Sequence, residues 1–242
     1  MRNPKIVVVA AGLSEPSSTA LLGERLAEAA RSALERAGVE ASIETVNLRS
    51  LAHGIADYMT MGFPSGPIGA ALDAVRSADA VIAVTPTFKA GYTGLFKSFW
   101  DLTDDADLTG KPVILAATGG TARHSLMIDA AMRPLFAYLH ADVVPTGVFA
   151  ATEDFGADTS LQSRIDRAGG ELAERVAWRL GPETATHGIG AEGPEAREGT
   201  SRSDASATPS AAQGAEAHRP ILAGGSGLPP LTVTPFEELL KG

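Results

Sequence analysis

Lys5-Ile-Val-Val-Val-Ala-Ala11, then Gly12-Leu-Ser-Glu-Pro-Ser-Ser-Thr19, then an amphipathic run with Leu22 and Leu26 one turn apart, decide how this chain is read. The first piece is β-branched and small, too short to cross a membrane, and reads as a strand buried on both faces, as in a parallel sheet. The second is a hydroxyl-rich loop and the third a helix. That succession aims free backbone N–H groups and several hydroxyls at one point, beside the positive end of a helix dipole. Such a point favours a phosphate.

Outward from there, the first helix is expected over Ser18–Arg36, with Ser17 or Ser18 as its N-cap and Gly38 left-handed beyond its end. Residues 41–48 read as an edge strand. Residues 49–67 dissolve into Gly, Pro and polar positions and read as a long loop. A short helix is expected over 68–78, a doubly buried strand over 79–85, a loop over 86–94 and a helix over 95–103. A fourth strand is expected over 112–118, a loop over 119–124, a helix over 125–139 interrupted near Pro134, a fifth strand over 142–150 and a long helix over 159–180. Five alternations of strand and helix predict an α/β, doubly wound, five-stranded parallel sheet in the flavodoxin-like order 2-1-3-4-5. In that order the ends of strands one, three and four lie side by side, and the three loops that follow them are the unusual ones.

Composition narrows the rest. The chain has 242 residues, 44% of them hydrophobic, with 20 basic against 29 acidic side chains for a net charge of −9 and no basic cluster. That argues against nucleic acid or an anionic membrane surface as a partner. No cysteine is present, which excludes disulfides, thiolate metal sites and Cys nucleophiles. No run approaches the roughly 20 apolar residues of a membrane span, and the N-terminal stretch reads as a strand and not an export signal, so a cytoplasmic protein is expected. The α/β domain is assigned to 1–180. Between Gly190 and Pro220 there is no Ile, Leu, Val, Met, Phe, Tyr or Trp, so 181–225 is expected to be a disordered linker. Apolar character returns in Leu228-Pro-Pro-Leu-Thr-Val-Thr-Pro-Phe-Glu-Glu-Leu-Leu240, and 226–242 is read as a short docking segment.

The three loops carry the chemistry. Loop one offers Ser14, Ser17, Ser18 and Thr19 but no Lys, so it is not a P-loop; with only Gly12 in place it is not a dinucleotide fingerprint either. Hydroxyls with N–H groups suit one terminal phosphate, such as that of FMN; the plain alternative is a capped helix with a polar entry loop. Loop two, Thr85-Pro-Thr-Phe-Lys-Ala-Gly-Tyr-Thr-Gly-Leu-Phe-Lys97, has Pro86 to stiffen the strand exit, Gly91 and Gly94 to permit close backbone approach, and Phe88 and Tyr92 as a flat wall for an aromatic ring. Loop three, Thr118-Gly-Gly-Thr-Ala-Arg-His124, lets backbone N–H groups reach ring oxygens and stabilise charge on a reduced flavin, with Arg123 or His124 placed for a second anion.

Loop one, the run from Pro86 through Trp100-Asp101, and Ala117–His124 together resemble the NAD(P)H-dependent FMN reductases, in particular the branch that feeds reduced FMN to a partner monooxygenase of the luciferase-like or alkanesulfonate type. The likeness covers Lys5–Leu180. It implies hydride transfer from NADPH or NADH to flavin, a homodimer or homotetramer, and no indispensable catalytic side chain. By the family's pattern Ser14, Ser17, Ser18 and Thr19 fall at the phosphate; Pro86, Thr87, Phe88 and Lys89 lie along the isoalloxazine, and Thr118, Gly119 and Gly120 at its polar edge. Glu15 departs from the basic or neutral residue common in relatives. Ala130 departs from the Tyr that some sulfonate-linked members insert into the fourth helix, so their helix distortion and tetramer are not implied. The rivals are an FMN-bound quinone or azo reductase and a non-enzymatic flavodoxin-type electron carrier.

Overall fold

The computed structural model describes residues 3–64, 66–104, 106–156 and 159–181. Four long strands form its centre: β1 (Lys5–Ala10), β2 (Ser42–Asn47), β3 (Ala80–Pro86) and β4 (Pro112–Gly119). All pairings are parallel and run β2-β1-β3-β4, with β5 (Asp142–Val143) and β6 (Val148–Ala151) on the outer edge of β4. This is the flavodoxin-like order that the alternation predicts.

Period-two alternation sorts each buried strand between two helix layers. Ile6 and Val8 of β1, Ile82 and Val84 of β3, and Ile114 and Ala116 of β4 pack with α1 (Ser18–Arg36) and α6 (Thr159–Leu180). Val7 and Val9, Val81 and Ala83, and Val113 and Leu115 face the other layer. That layer holds α2 (Leu48–Met61), α3 (Pro67–Ser77), α4 (Gly94–Trp100) and α5 (Arg133–Tyr138). Among the described residues no helix is long and apolar enough to cross a membrane. The linker expected over 181–225 and the docking segment expected over 226–242 fall outside the described residues, Gly181 apart.

Three expectations are corrected. Residues 49–67 are not a loop, since α2 occupies most of them. Leu48, Leu51 and Ile55 recur at helical spacing and are buried, Asn47 Oδ1 caps the Arg49 N–H at 3.1 Å, and the helix stops at Gly62, whose φ is 79°. The fifth strand is broken in the middle, giving six strands where five were expected. Pro145 has no N–H for the ladder, and the interrupted backbone finds side chains instead. Arg133 Nη1 donates to the Val144 carbonyl (3.1 Å), and the Glu171 carboxylate accepts from Thr146 N–H (2.8 Å) and Oγ1 (2.7 Å). The helix over 125–139 begins with a π turn at Ile128–Met132 before α5, so a distortion sits on Ala130 without the inserted Tyr.

Candidate functional site

A parallel sheet with helices on both faces opens at the carboxyl ends of its strands where the strand order reverses, here between β1 and β3. A cavity of about 890 Å³ lies there, within the range of small-ligand pockets. Its lining comes from all three loops: Ser14, Ser17 and Ser18; Pro86, Thr87 and Phe88; and Thr118, Gly119 and Gly120. Ten of the residues expected to bind are thereby sorted, nine into the lining and Thr19 just beneath it.

At one end stands the first turn of α1. Ser17 is the N-cap, its Oγ accepting from Ala20 N–H at 3.1 Å, and the turn contains no acidic residue. The hydroxyls of Ser14 and Ser18 are on exposed residues facing the same space. Thr19 has a different task. It is 3% exposed, and its Oγ1 lies 2.8 Å from Thr118 Oγ1, so the hydroxyl braces loop one against loop three from below.

Loop two is a tight hairpin on the end of β3. Phe88 and Gly91 exchange backbone hydrogen bonds of 2.9 and 3.1 Å, and the two residues between them, Lys89 (φ 51°) and Ala90 (φ 65°), are both left-handed. The left-handed positions thus fall on side-chain-bearing residues and not on Gly91 or Gly94, where a Cβ would meet nothing within 4 Å. Such strain persists only where the surroundings hold it. Here Thr87 N–H donates to the Thr118 carbonyl (2.7 Å), Thr85 Oγ1 accepts from Thr93 N–H (3.2 Å), and Thr93 Oγ1 caps α4 through Phe96 N–H (3.2 Å). Phe88, 53% exposed, stands at the cavity, while Lys89 and Gly91 sit at the hairpin tip outside the lining.

Tyr92 does not share that wall. Its ring tilts against Phe96 at 5.7 Å between centroids, joining the aromatic group of Phe96, Phe99, Trp100 and Phe136, and it borders a separate groove of about 700 Å³. Tyr92 lies six residues after the end of β3 and just before Thr93, the N-cap of α4, where its ring turns onto Phe96, which spacing in a loop does not reveal. Arg123 and His124 lie in one exposed 3-10 turn, Ala122–His124, also outside the lining.

Two buried details show how the polar edge is built. A Cβ on Gly119 would come within 2.7 Å of Phe149 Cζ, so only glycine keeps that backbone flush beneath the ligand space. Thr87 Oγ1 is buried and has no hydrogen-bond partner among the described residues, although it belongs to the lining. Sequence reasoning missed three lining residues at the flanks: Asn47 at the end of β2, and Thr152 and Phe155 in the turn after β6. Their signal was available, since the ends of all parallel strands reach the same edge.

Among the described residues the lining carries two ionisable groups, Glu15 and Glu24, and Glu15 is paired with Arg49 of α2. Among the described residues no group of three or more His, Asp or Glu side chains is assembled for a metal ion.

Comparison with known proteins agrees with this geometry. Residues 4–156 match the family described as NADPH-dependent FMN reductase. The NADH-dependent FMN reductase SfnF of Pseudomonas putida is 38% identical over 151 residues, covering 62% of this chain and 79% of that protein. The FMN reductase (NADPH) of Pseudomonas aeruginosa is 35% identical over 183 residues, covering 73% of this chain and 92% of that one. Among solved structures, an oxidoreductase from Corynebacterium diphtheriae superposes with a TM-score of 0.71 at 43% identity, covering 74% of this chain and 99% of that chain. The apo form of the NADH:FMN oxidoreductase EmoB gives 0.64 at 25% identity, covering 75% and 94%.

Proposed function

This chain belongs to the NADPH-dependent FMN reductase family, and from that premise we propose that it oxidises NADH or NADPH, reduces FMN in the cavity between β1, β3 and β4, and supplies the reduced flavin to a flavin-dependent monooxygenase. The flavin, when bound, supplies the hydride-accepting chemistry. The chain's own residues bind and orient.

The residues present fit that group. Ser14, Ser17, Ser18 and the N–H groups of the first turn of α1 would hold a terminal phosphate, with no carboxylate in that turn to oppose it. Pro86 and Phe88 would give the flat face of a ring an apolar support, while the backbone at Thr118–Gly120 offers polar groups along its edge. The observation that carries the reading is Thr87 Oγ1, a buried hydroxyl in the lining that lacks a partner among the described residues and would gain one from a heteroatom of the ring.

Hydride transfer between stacked rings needs alignment more than a protein acid or base. Among the described residues of the lining, the ionisable side chains are Glu15, paired with Arg49, and Glu24. The monooxygenase partner rests on the resemblance of loops two and three to the branch that serves such enzymes.

The test follows NADH and NADPH oxidation in air, with and without added FMN. Steady oxidation that requires FMN is expected. Absence of flavin binding, or turnover only with a quinone, overturns the proposal.

A further inference from the structure

Loop one contains a residue that opposes its own task. Glu15 stands between Ser14 and Ser17, in the lining of the cavity, and would repel the phosphate that those hydroxyls are placed to accept. Its carboxylate is engaged by the guanidinium of Arg49, an ion pair that joins loop one to the first turn of α2. Neither interest of local stability explains the arrangement. A cation in the first turn of a helix is disfavoured by the dipole. A pair whose side chains are 47% and 79% exposed adds little to folding. Arg49 is nevertheless held at the cavity's border, because Asn47, itself a lining residue, caps its backbone N–H at 3.1 Å. The other carboxylate of the lining, Glu24, lies beyond the first turn of α1.

We propose that Arg49 is a positioning residue for the phosphate end of the flavin, acting through Glu15: it draws that carboxylate toward α2 and cancels its charge, so that the anion-binding turn of α1 stays open to a phosphate. The inference rests on the reading of this cavity as an FMN site. It makes Arg49 neither a phosphate ligand nor a catalytic residue, and it explains how loop one tolerates an acid beside the hydroxyls of Ser14 and Ser17.

The experiment measures dissociation constants of FMN and riboflavin by flavin fluorescence on the full chain, for the wild type, R49M, E15Q and the double variant. Riboflavin lacks the phosphate and reports the ring site alone. R49M is expected to weaken FMN by roughly fivefold to tenfold at low salt, less at high salt, and to leave riboflavin within about twofold. E15Q in the R49M background is expected to restore FMN binding. Equal weakening of both flavins would mark a merely structural role. Loss of FMN affinity that E15Q fails to rescue would make Arg49 a direct ligand, and no effect of R49M would make the pair an incidental one; each overturns the proposal. A wild type that binds neither flavin removes the FMN site itself, which separates that failure from the failure of the role given to Arg49.

Discussion

Phe88 and Tyr92 look alike in the sequence, two aromatics four residues apart in one glycine-containing loop, and the structure gives them separate work. Phe88 is held at the cavity by the hairpin, whereas Tyr92 packs on Phe96 over the aromatic core. The two substitutions should therefore part company. Phe88→Ala is expected to weaken FMN binding by roughly tenfold through loss of ring contact, with little change in melting temperature. Tyr92→Ala is expected to cost roughly 2 kcal/mol of stability, with flavin affinity largely kept. Flavin titration and thermal melts on both variants decide it, and a larger flavin defect in the Tyr92 variant would reverse the assignment. Single-residue detail of this kind was only partly legible. The hydroxyls of loop one and the glycines of loop three announced a polar site by type, and nine of the expected residues share one lining. Thr19, Tyr92 and Arg123 were of the right type at the right distance along the chain, but side-chain direction depends on where each helix begins.

At the scale of elements, β4 is secured to α3 by a buried lysine. Lys111 is 7% exposed and donates to the carbonyls of Val75 (2.5 Å) and Arg76 (3.0 Å), satisfying the last turn of α3. Burial pushes its pKa down from the usual 10.5 to about 8, and the carboxylates of Asp107 and Asp79 oppose that only in part. Because the folded-state value is the lower one, the folded protein releases this proton before the unfolded chain does. Between about pH 8 and 10.5 the unfolded state binds more protons, so this group makes stability rise with pH across that window and contributes no slope below it. Lys111→Met should remove that rise, whatever its effect on stability at neutral pH. Urea melts at several pH values from 7 to 10 test this, and identical slopes in the two proteins would sink it. The same scale shows why α2 escaped notice. Its apolar positions Leu48, Leu51 and Ile55 have helical spacing, but Gly54 and the polar residues around them mask the stripe in a window reading.

For the molecule as a whole, the described residues that line the cavity run from Ser14 to Phe155, and the last described helix ends at Leu180. Residues 4–156 also bound the family match. A chain ending after Gly181 is therefore expected to fold, to bind FMN with the affinity of the full protein within about twofold, and to oxidise the nicotinamide nucleotide at a similar rate. A shortened protein that folds but has lost flavin affinity would assign the remaining residues to the site.

The alternation of apolar runs, hydroxyl loops and amphipathic segments determined the doubly wound sheet, its strand order and the end at which the ligand space opens. Those features follow from period, handedness and chain connectivity, which are local or topological and are written along the chain. Only the tertiary structure decided which aromatic faces the cavity, that Thr19 and Thr118 meet as a brace, and that Glu15 is answered by Arg49. Each of these depends on residues far apart in sequence being brought together by packing, and no pattern read along one strand or loop contains that distance.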